Sequence, residues 1–388
     1  MDIKALSLQA EEYILDRRRY YQSCPELTGQ ETETRSALHK DLEALGITDI
    51  VDTENCFGVY ATIHGGKPGK TVALRADIDG LPVKEETGLP YASKNEGKMH
   101  ACGHDTHIAM LLGAAKILNE HREELCGNVR IIFQPAEENC SGAYKMIAAG
   151  AIDGVDAIYG AHIWGDFDAP YISLDSGPRM ALADLFEIEV EGVSAHGSAP
   201  HLGIDAITCA VQIYSNLQQY VSRMNDPLAP LVMTIGTING GTRFNVIPNK
   251  VVMSGSVRAY ANREKHFEYL TRIIENTGAS LGCSARLVWH PTIGPVINDC
   301  EELNVLARNA AEALFGPGCL REMKENLGSE DFAAYREKIP GVFAFIGSRN
   351  PEKGITYTNH HEKFTVDESV LKNGTALMAQ FAVDFLSK

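Results

Sequence analysis

The chain has 388 residues, 44% hydrophobic and 22% charged, the profile of a globular protein with room for two or three domains. Its formal net charge of −16 argues against nucleic acid or an anionic membrane as partner, because phosphates are repelled. No apolar run approaches the roughly 18–20 residues of a membrane span.

The start, Met1-Asp2-Ile3-Lys4-Ala5, lacks a basic stretch leading into an apolar one, so no export signal is expected. Nine scattered cysteines, odd in number, then read as reduced thiols of a cytoplasmic protein. All but Cys102 are expected to be small buried hydrophobes.

Ile3, Leu6, Ala10, Tyr13 and Ile14 have helical spacing, and a second helix is expected over Glu31–Leu45, stopped by Gly46. Strands and helices then alternate: strand Thr71–Ala76, helix His104–Leu118, strand Val129–Phe133, helix Gly142–Ala149, strand Ala157–Ile163. That order predicts an α/β domain with a mostly parallel, mixed sheet flanked by helices. After Pro178 the pattern changes. Strand Leu185–Glu191, helix Asp205–Met224, strands Leu231–Ile238 and Val251–Tyr260, helix Glu264–Leu281 and strand Ala285–His290 give βαββαβ, the split pattern of a ferredoxin-like sandwich. The expected organisation is therefore a catalytic domain in two parts, 1–182 and 292–388, with an inserted domain at 183–291.

Four segments carry ligand-type residues near expected strand ends. Cys102 and His104 stand two apart just before a helix, where a thiolate and an imidazole can share a metal. Glu137 and Glu138 follow an apolar strand and Pro135, so that their side chains diverge. His162 lies within an apolar strand, and His360-His361 in a loop near the C-terminus. Each has a plain structural reading as well: a helix start, an acidic turn, a hydrogen-bonded core histidine, a solvated pair. Together they make a mixed N/O/S set suited to Zn, Mn, Co or Ni. They lie where open α/β sheets place ligands. Five donors exceed one tetrahedral ion, so two divalent metal ions are the natural reading.

Ordered motifs run along nearly the whole chain: Arg75-Ala76-Asp77-Ile78-Asp79-Gly80-Leu81-Pro82, Cys102-Gly103-His104-Asp105, Gln134-Pro135-Ala136-Glu137-Glu138 and Gly160-Ala161-His162. Ser194-Ala195-His196-Gly197, Asn245-Val246-Ile247-Pro248, Gly328-Ser329-Glu330-Asp331-Phe332 and His360 complete them. In these the chain resembles the amidohydrolase branch of the aminoacylase and carboxypeptidase-G-like dinuclear metallopeptidases, which includes hippurate hydrolases, auxin-conjugate hydrolases and N-acetyl-diaminopimelate deacetylases. The resemblance implies Cys102, His104, Glu138, His162 and His360 as ligands of the two ions, with Cys102 bridging, and Glu137 as general base. It implies that the inserted domain is a lid and the interface of a homodimer. His196 would reach the partner's active site, with Asn245 and neighbouring Arg243 as substrate contacts. Gln22, Arg179 and the pair Arg243-Phe244 depart from the branch's usual residues, which bears on substrate preference.

The expected activity is hydrolysis of the amide bond of an N-acyl amino acid or similar small amide by metal-activated water, with Glu137 moving the proton. No Gly-x-Ser-x-Gly elbow offers a rival nucleophile. Two alternatives stand beside it. One is a dipeptidase or carboxypeptidase with the same centre; the other is a non-catalytic relative that binds ligands. Asp77 and Asp105 are read either as residues orienting the histidines or as plain salt-bridge and cap residues. Glu330-Asp331 reads as a helix start, and His100, His107, His201 and His361 as structural or supporting residues.

Overall fold

The computed structural model describes residues 1–54 and 56–388. Its elements begin α1 (Ile3–Gln9), α2 (Glu11–Ser23), α3 (Thr32–Ala44), β1 (Asp49–Asp52), β2 (Val59–His64), β3 (Lys67–Asp77), α4 (His104–Glu120), β4 (Cys126–Gln134), α5 (Gly142–Ala148), β5 (Ala157–Asp168), β6 (Ile172–Ser173) and β7 (Gly177–Met180). They continue β8 (Leu182–Glu191), β9 (Ala195–His196), α6 (Ala206–Gln219), β10 (Leu231–Gly240), β11 (Val246–Ile247), β12 (Lys250–Ala259), α7 (Arg263–Ser280) and β13 (Ser284–Ile293). The last are β14 (Val296–Asn298), α8 (Glu301–Phe315), α9 (Phe332–Arg336), β15 (Gly341–Arg349) and α10 (Leu371–Leu386). Two compact units result: Met1–Arg179 with Ile297–Lys324 and Glu330–Lys388, and Met180–Val296 with Glu325–Ser329.

The larger unit holds a sheet of order β1-β2-β4-β3-β5-β15-β6. Its inner strands β4, β3, β5 and β15 are parallel, and antiparallel β1, β2 and β6 close the edges. Ile131, Ile132 and Phe133 are all buried on β4, the continuous apolar run of a strand covered on both faces. Helix α4 is buried all round, Ala109, Met110 and Ala114 as fully as Ile108 and Leu111. It packs on β3 with one side and on α2 and α10 with others. A helix so enclosed needs apolar residues on every face.

The smaller unit is an antiparallel sheet of order β10-β12-β8-β13, with α6 and α7 packed on it. In chain order this is second, third, first, fourth strand, the ferredoxin-like arrangement. Strand β8 alternates as expected, with Phe186, Ile188 and Val190 buried and Glu187 and Glu191 exposed. Ile213, Leu217, Val251, Met253, Leu270 and Ile274 complete this core.

Among the described residues no helix is long and apolar enough to cross a membrane. Cys24, Cys56, Cys102, Cys126, Cys209, Cys283, Cys300 and Cys319 form no disulfide. The expectation that the eight besides Cys102 are buried needs correcting. Only Cys56, Cys209 and Cys283 are; Cys24, Cys126, Cys140, Cys300 and Cys319 are partly exposed, where elements end and side chains meet solvent.

Candidate metal centre

The carboxyl ends of β3, β4 and β5 gather the larger unit's ligand-type residues. Cys102 precedes α4 and His104 opens it, with Gly103 between them in the left-handed region at φ 91°. A Cβ there would stand 2.4 Å from Ile163 Cγ2, so only glycine turns the chain tightly enough to aim both neighbours inward. Glu137 and Glu138 follow β4, with Ala136 before them at φ 53°. His360 sits at φ 71°, a costly conformation for a side-chain-bearing residue. It is held there by its N–H, which donates to Ala101 O at 2.7 Å.

Cys102 Sγ lies 3.4 Å from His162 Nε2 and 3.3 Å from His360 Nε2. Glu138 Oε1 is 3.6 Å from His360 Nε2 and 4.0 Å from His104 Nε2. The donors form overlapping trios, each with its atoms within 4.8 Å of one another: Cys102, His104 and His162; Cys102, Glu138 and His360; His104, Glu137 and Glu138. The structure thus brings together all five residues expected as ligands, with the thiol common to two trios and Glu137 beside them.

The donor set fits divalent cations on three counts. Both ring nitrogens of buried His104 and Oε1 of Glu138 have no hydrogen-bond partner, and buried polar atoms are rarely left so. Nδ1 of His104 lies 3.3 Å from Asp79 Oδ1, close enough for an ion pair though not aligned as a hydrogen bond. Second, Arg75 is fully buried and pairs with Asp77, Glu330 and Asp331, while Asp79, Glu137 and Glu138 crowd the same region. So much buried negative charge calls for more positive charge than one guanidinium carries. Third, burial and then Glu138 push the Cys102 thiol upward. Such a thiol coordinates only when a cation takes the proton's place. Burial, opposed by His104 and reinforced by Asp79, pushes Glu138 up to about 7. Burial, with Glu330, Glu138 and Asp331, holds Glu137 well above the usual carboxylate range.

His196, Arg243 and Asn245 lie on the smaller unit. The short β9–β11 ladder pairs His196 with Val246, and Gly197 N–H donates to Asn245 O at 2.8 Å, so exposed His196 and half-buried Asn245 stand beside one another on a two-stranded ladder. His196 Nδ1 is 2.7 Å from Ser198 Oγ. Arg243 is exposed, its guanidinium 5.8 Å from the Phe244 ring centre.

Several supporting residues carried no assigned role in the sequence. Asp79 accepts the backbone N–H groups of Glu137 and Glu138 at 3.2 and 3.1 Å, fixing the turn that carries both. Asn359 donates to Cys102 O at 2.9 Å and accepts Gly165 N–H at 2.8 Å, tying the His360 loop to β5. The cue in the sequence was place alone: Asp79 stands within the Arg75–Pro82 motif and Asn359 beside His360. Asp105 turns away and pairs with Arg18 at 2.9 Å. Asp77 faces His104 and His107. Glu330 accepts Phe332 N–H at 2.9 Å as a helix start would. Of the departures, Gln22 is buried and donates to Glu85 at 3.0 Å, and Arg179 pairs with Asp175 at 2.9 Å over the Phe345 ring.

The family model for peptidase family M20/M25/M40 matches residues 73–384. Among curated relatives, thermostable carboxypeptidase 1 of Saccharolobus solfataricus is 39% identical over 98% of this chain and 97% of its own length. The N-acetyl-L-cysteine deacetylase of Bacillus subtilis is 42% identical over 93% of this chain and 85% of its own. Among solved structures, a Bacillus subtilis protein described as a dinuclear metal binding peptidase from the M20 family superposes with a TM-score of 0.85. It is 38% identical, covering 97% of this chain and 98% of that one. With a family match across most of the sequence, and relatives this similar end to end, the chain belongs to peptidase family M20/M25/M40.

Proposed function

We propose that this protein is a two-cation amidohydrolase that removes the acyl group from N-acyl amino acids. The observation that carries the reading is the Cys102 thiol shared between two donor trios, the arrangement expected of a ligand lying between two ions. Cys102, His104, Glu138, His162 and His360 would hold the ions, drawn from Zn, Mn, Co and Ni, for which a thiolate, imidazole and carboxylate set is suited. Bound there, the ions supply Lewis acidity, polarising an amide carbonyl and lowering the pKa of a water.

The chain's own groups do the rest. Glu137 takes a proton from the attacking water on its carboxylate and returns it to the leaving nitrogen. Its buried, carboxylate-rich surroundings make it a stronger base than an ordinary glutamate. Asp79, through the backbone of Glu137 and Glu138, keeps the base and its neighbour on their separate courses. From the smaller unit of a second copy, His196 would donate to the oxyanion, with Asn245 and Arg243 contacting the substrate. Support for a homodimer through this unit comes from an exposed apolar row on α6, Ile207, Val211 and Tyr214. Strand β10 adds a sheet edge with Val232 and Ile238 exposed. Thiols outside disulfides, Cys56, Cys102, Cys209 and Cys283 among them, accord with a cytoplasmic setting.

A second reading, carboxypeptidase or dipeptidase action by the same centre, is favoured by the similarity to the Saccharolobus carboxypeptidase. The purified protein should be stripped by chelation, reloaded with Mn²⁺, Co²⁺, Ni²⁺ or Zn²⁺, and assayed on matched N-acetyl and N-benzoyl amino acids and dipeptides. Acyl-amino acid cleavage that vanishes with the ions and returns with them is expected. Preference for dipeptides would select the second reading, and full activity without ions would defeat both.

A further inference from the structure

Strands β3 and β5 are partners only as far as Arg75 and Gly160. Beyond that point β3 stays with β4 up to Asp77, and β5 stays with β15 through Ile163. The sheet therefore splits at its carboxyl end, with Asp77 on one lip and His162 on the other. The split leaves the backbone of β5 short of a neighbour on the β3 side, and a buried N–H without an acceptor is costly.

A side chain fills the gap. Ile163 N–H donates to His107 Nε2 at 2.8 Å, and His107 Nδ1 lies 2.5 Å from Asp77 Oδ1. Because Nε2 accepts, the ring's proton is on Nδ1 and goes to Asp77. His107 is fully buried and both its nitrogens are used. It therefore has no lone pair for a cation, although it stands in a trio with Asp77 and His104 close enough to hold one. The other oxygen of Asp77 accepts from Arg75 at 2.8 Å. On the far side, Ile163 O accepts from His162 Nδ1 at 2.6 Å, which leaves Nε2 of His162 facing Cys102. One chain of hydrogen bonds thus runs from Arg75 through Asp77, His107 and the backbone of Ile163 to His162.

We infer that His107 is a positioning residue: it splints the split between β3 and β5 by holding Ile163, and through Ile163 it sets the ring of His162 against Cys102. The inference rests on the proposed role of His162 as a ligand.

Two substitutions separate the two ends of the imidazole. In His107→Gln the amide oxygen reaches the place of Nε2 and can still accept Ile163 N–H. In His107→Asn the amide stands in place of Nδ1, keeping Asp77 but leaving Ile163 N–H bare. Metal-free wild type and both variants should be compared by hydrogen exchange over the carboxyl half of β5 and by calorimetric titration with Mn²⁺. His107→Asn should lose protection at Ile163 and weaken one Mn²⁺ site by about 10–100-fold, the same site that His162→Ala removes. His107→Gln should keep the protection and bind within a few-fold of wild type. Equal damage in the two variants, or wild-type binding and protection in both, would overturn the inference. If wild type takes up no Mn²⁺, the two-cation reading falls. The exchange arm then still decides the splint: protection lost in Asn and kept in Gln supports it, and equal protection overturns it.

Discussion

Glu137 and Glu138 are neighbours in the chain with different surroundings. Glu138 Oε1 faces His104 and His360, whereas Glu137 is packed beside Glu330 and Asp331. Glu137→Gln should therefore keep both ions while turnover falls by about 10²–10⁴-fold, the usual worth of a placed proton carrier. Glu138→Gln should lose an ion on dialysis before anything else changes. Metal content and rate, measured on the same preparations, check the pair, and the reverse pattern would exchange the two roles. The five donors that converge were legible because each is a ligand-type residue in or after a strand of the parallel set: Glu138 directly follows β4, His162 lies within β5, and Cys102, His104 and His360 lie in the segments after β3 and β15. Asp79 and Asn359 were not legible as supports, and His107 was legible only as one of four structural or supporting histidines, without its partners. Their work is done on backbone N–H and C=O groups of segments distant in sequence, and such bonds leave no spacing to read.

At the level of elements, periodicity served well where one face is buried and less well elsewhere. Strand β8 shows its alternation plainly, and α6 and α7 fall close to the expected spans. Strands β1 and β2 went unrecognised: β1 is four residues long and mostly exposed, and β2 is a short run between Gly58 and Gly65-Gly66. Helix α7 carries a pH dependence of its own. His266 is buried and its Nδ1 lies 2.7 Å from Tyr220 Oη. Burial lowers its pKa from 6.5, against a hydrogen bond to Ala261 that raises it. The neutral ring is thus the folded form. As pH falls below about 6.5, the unfolded chain takes up a proton that the folded chain refuses. Stability should decline from there until the lowered folded pKa is reached. Urea denaturation at pH 7.5 and 5.5 should show this loss in wild type and a smaller one in His266→Gln. An equal loss in both would place the dependence on another group.

For the whole molecule, the decisive question is whether one chain suffices for activity. If His196 serves the metal centre of the partner subunit, a two-fold dimer holds two composite sites, each with Glu137 from one chain and His196 from the other. A Glu137→Ala chain and a His196→Ala chain should then each be inactive alone, because every site in either homodimer lacks one group. In the mixed dimer, one site joins the intact Glu137 of one chain to the intact His196 of the other, and the second site lacks both. Equal mixing with free exchange puts about half the population in mixed dimers, so roughly a quarter of all sites should work. If His196 instead serves its own chain, every site in the mixed dimer lacks one group and nothing returns. Joint unfolding and refolding of two differently tagged variants, isolation of the doubly tagged dimer and an assay on the preferred acyl-amino acid distinguish the cases. The isolated mixed dimer should show about half the activity of wild type per chain. Its inactivity, with both tags present and both chains loaded with metal, would assign His196 to its own chain's site.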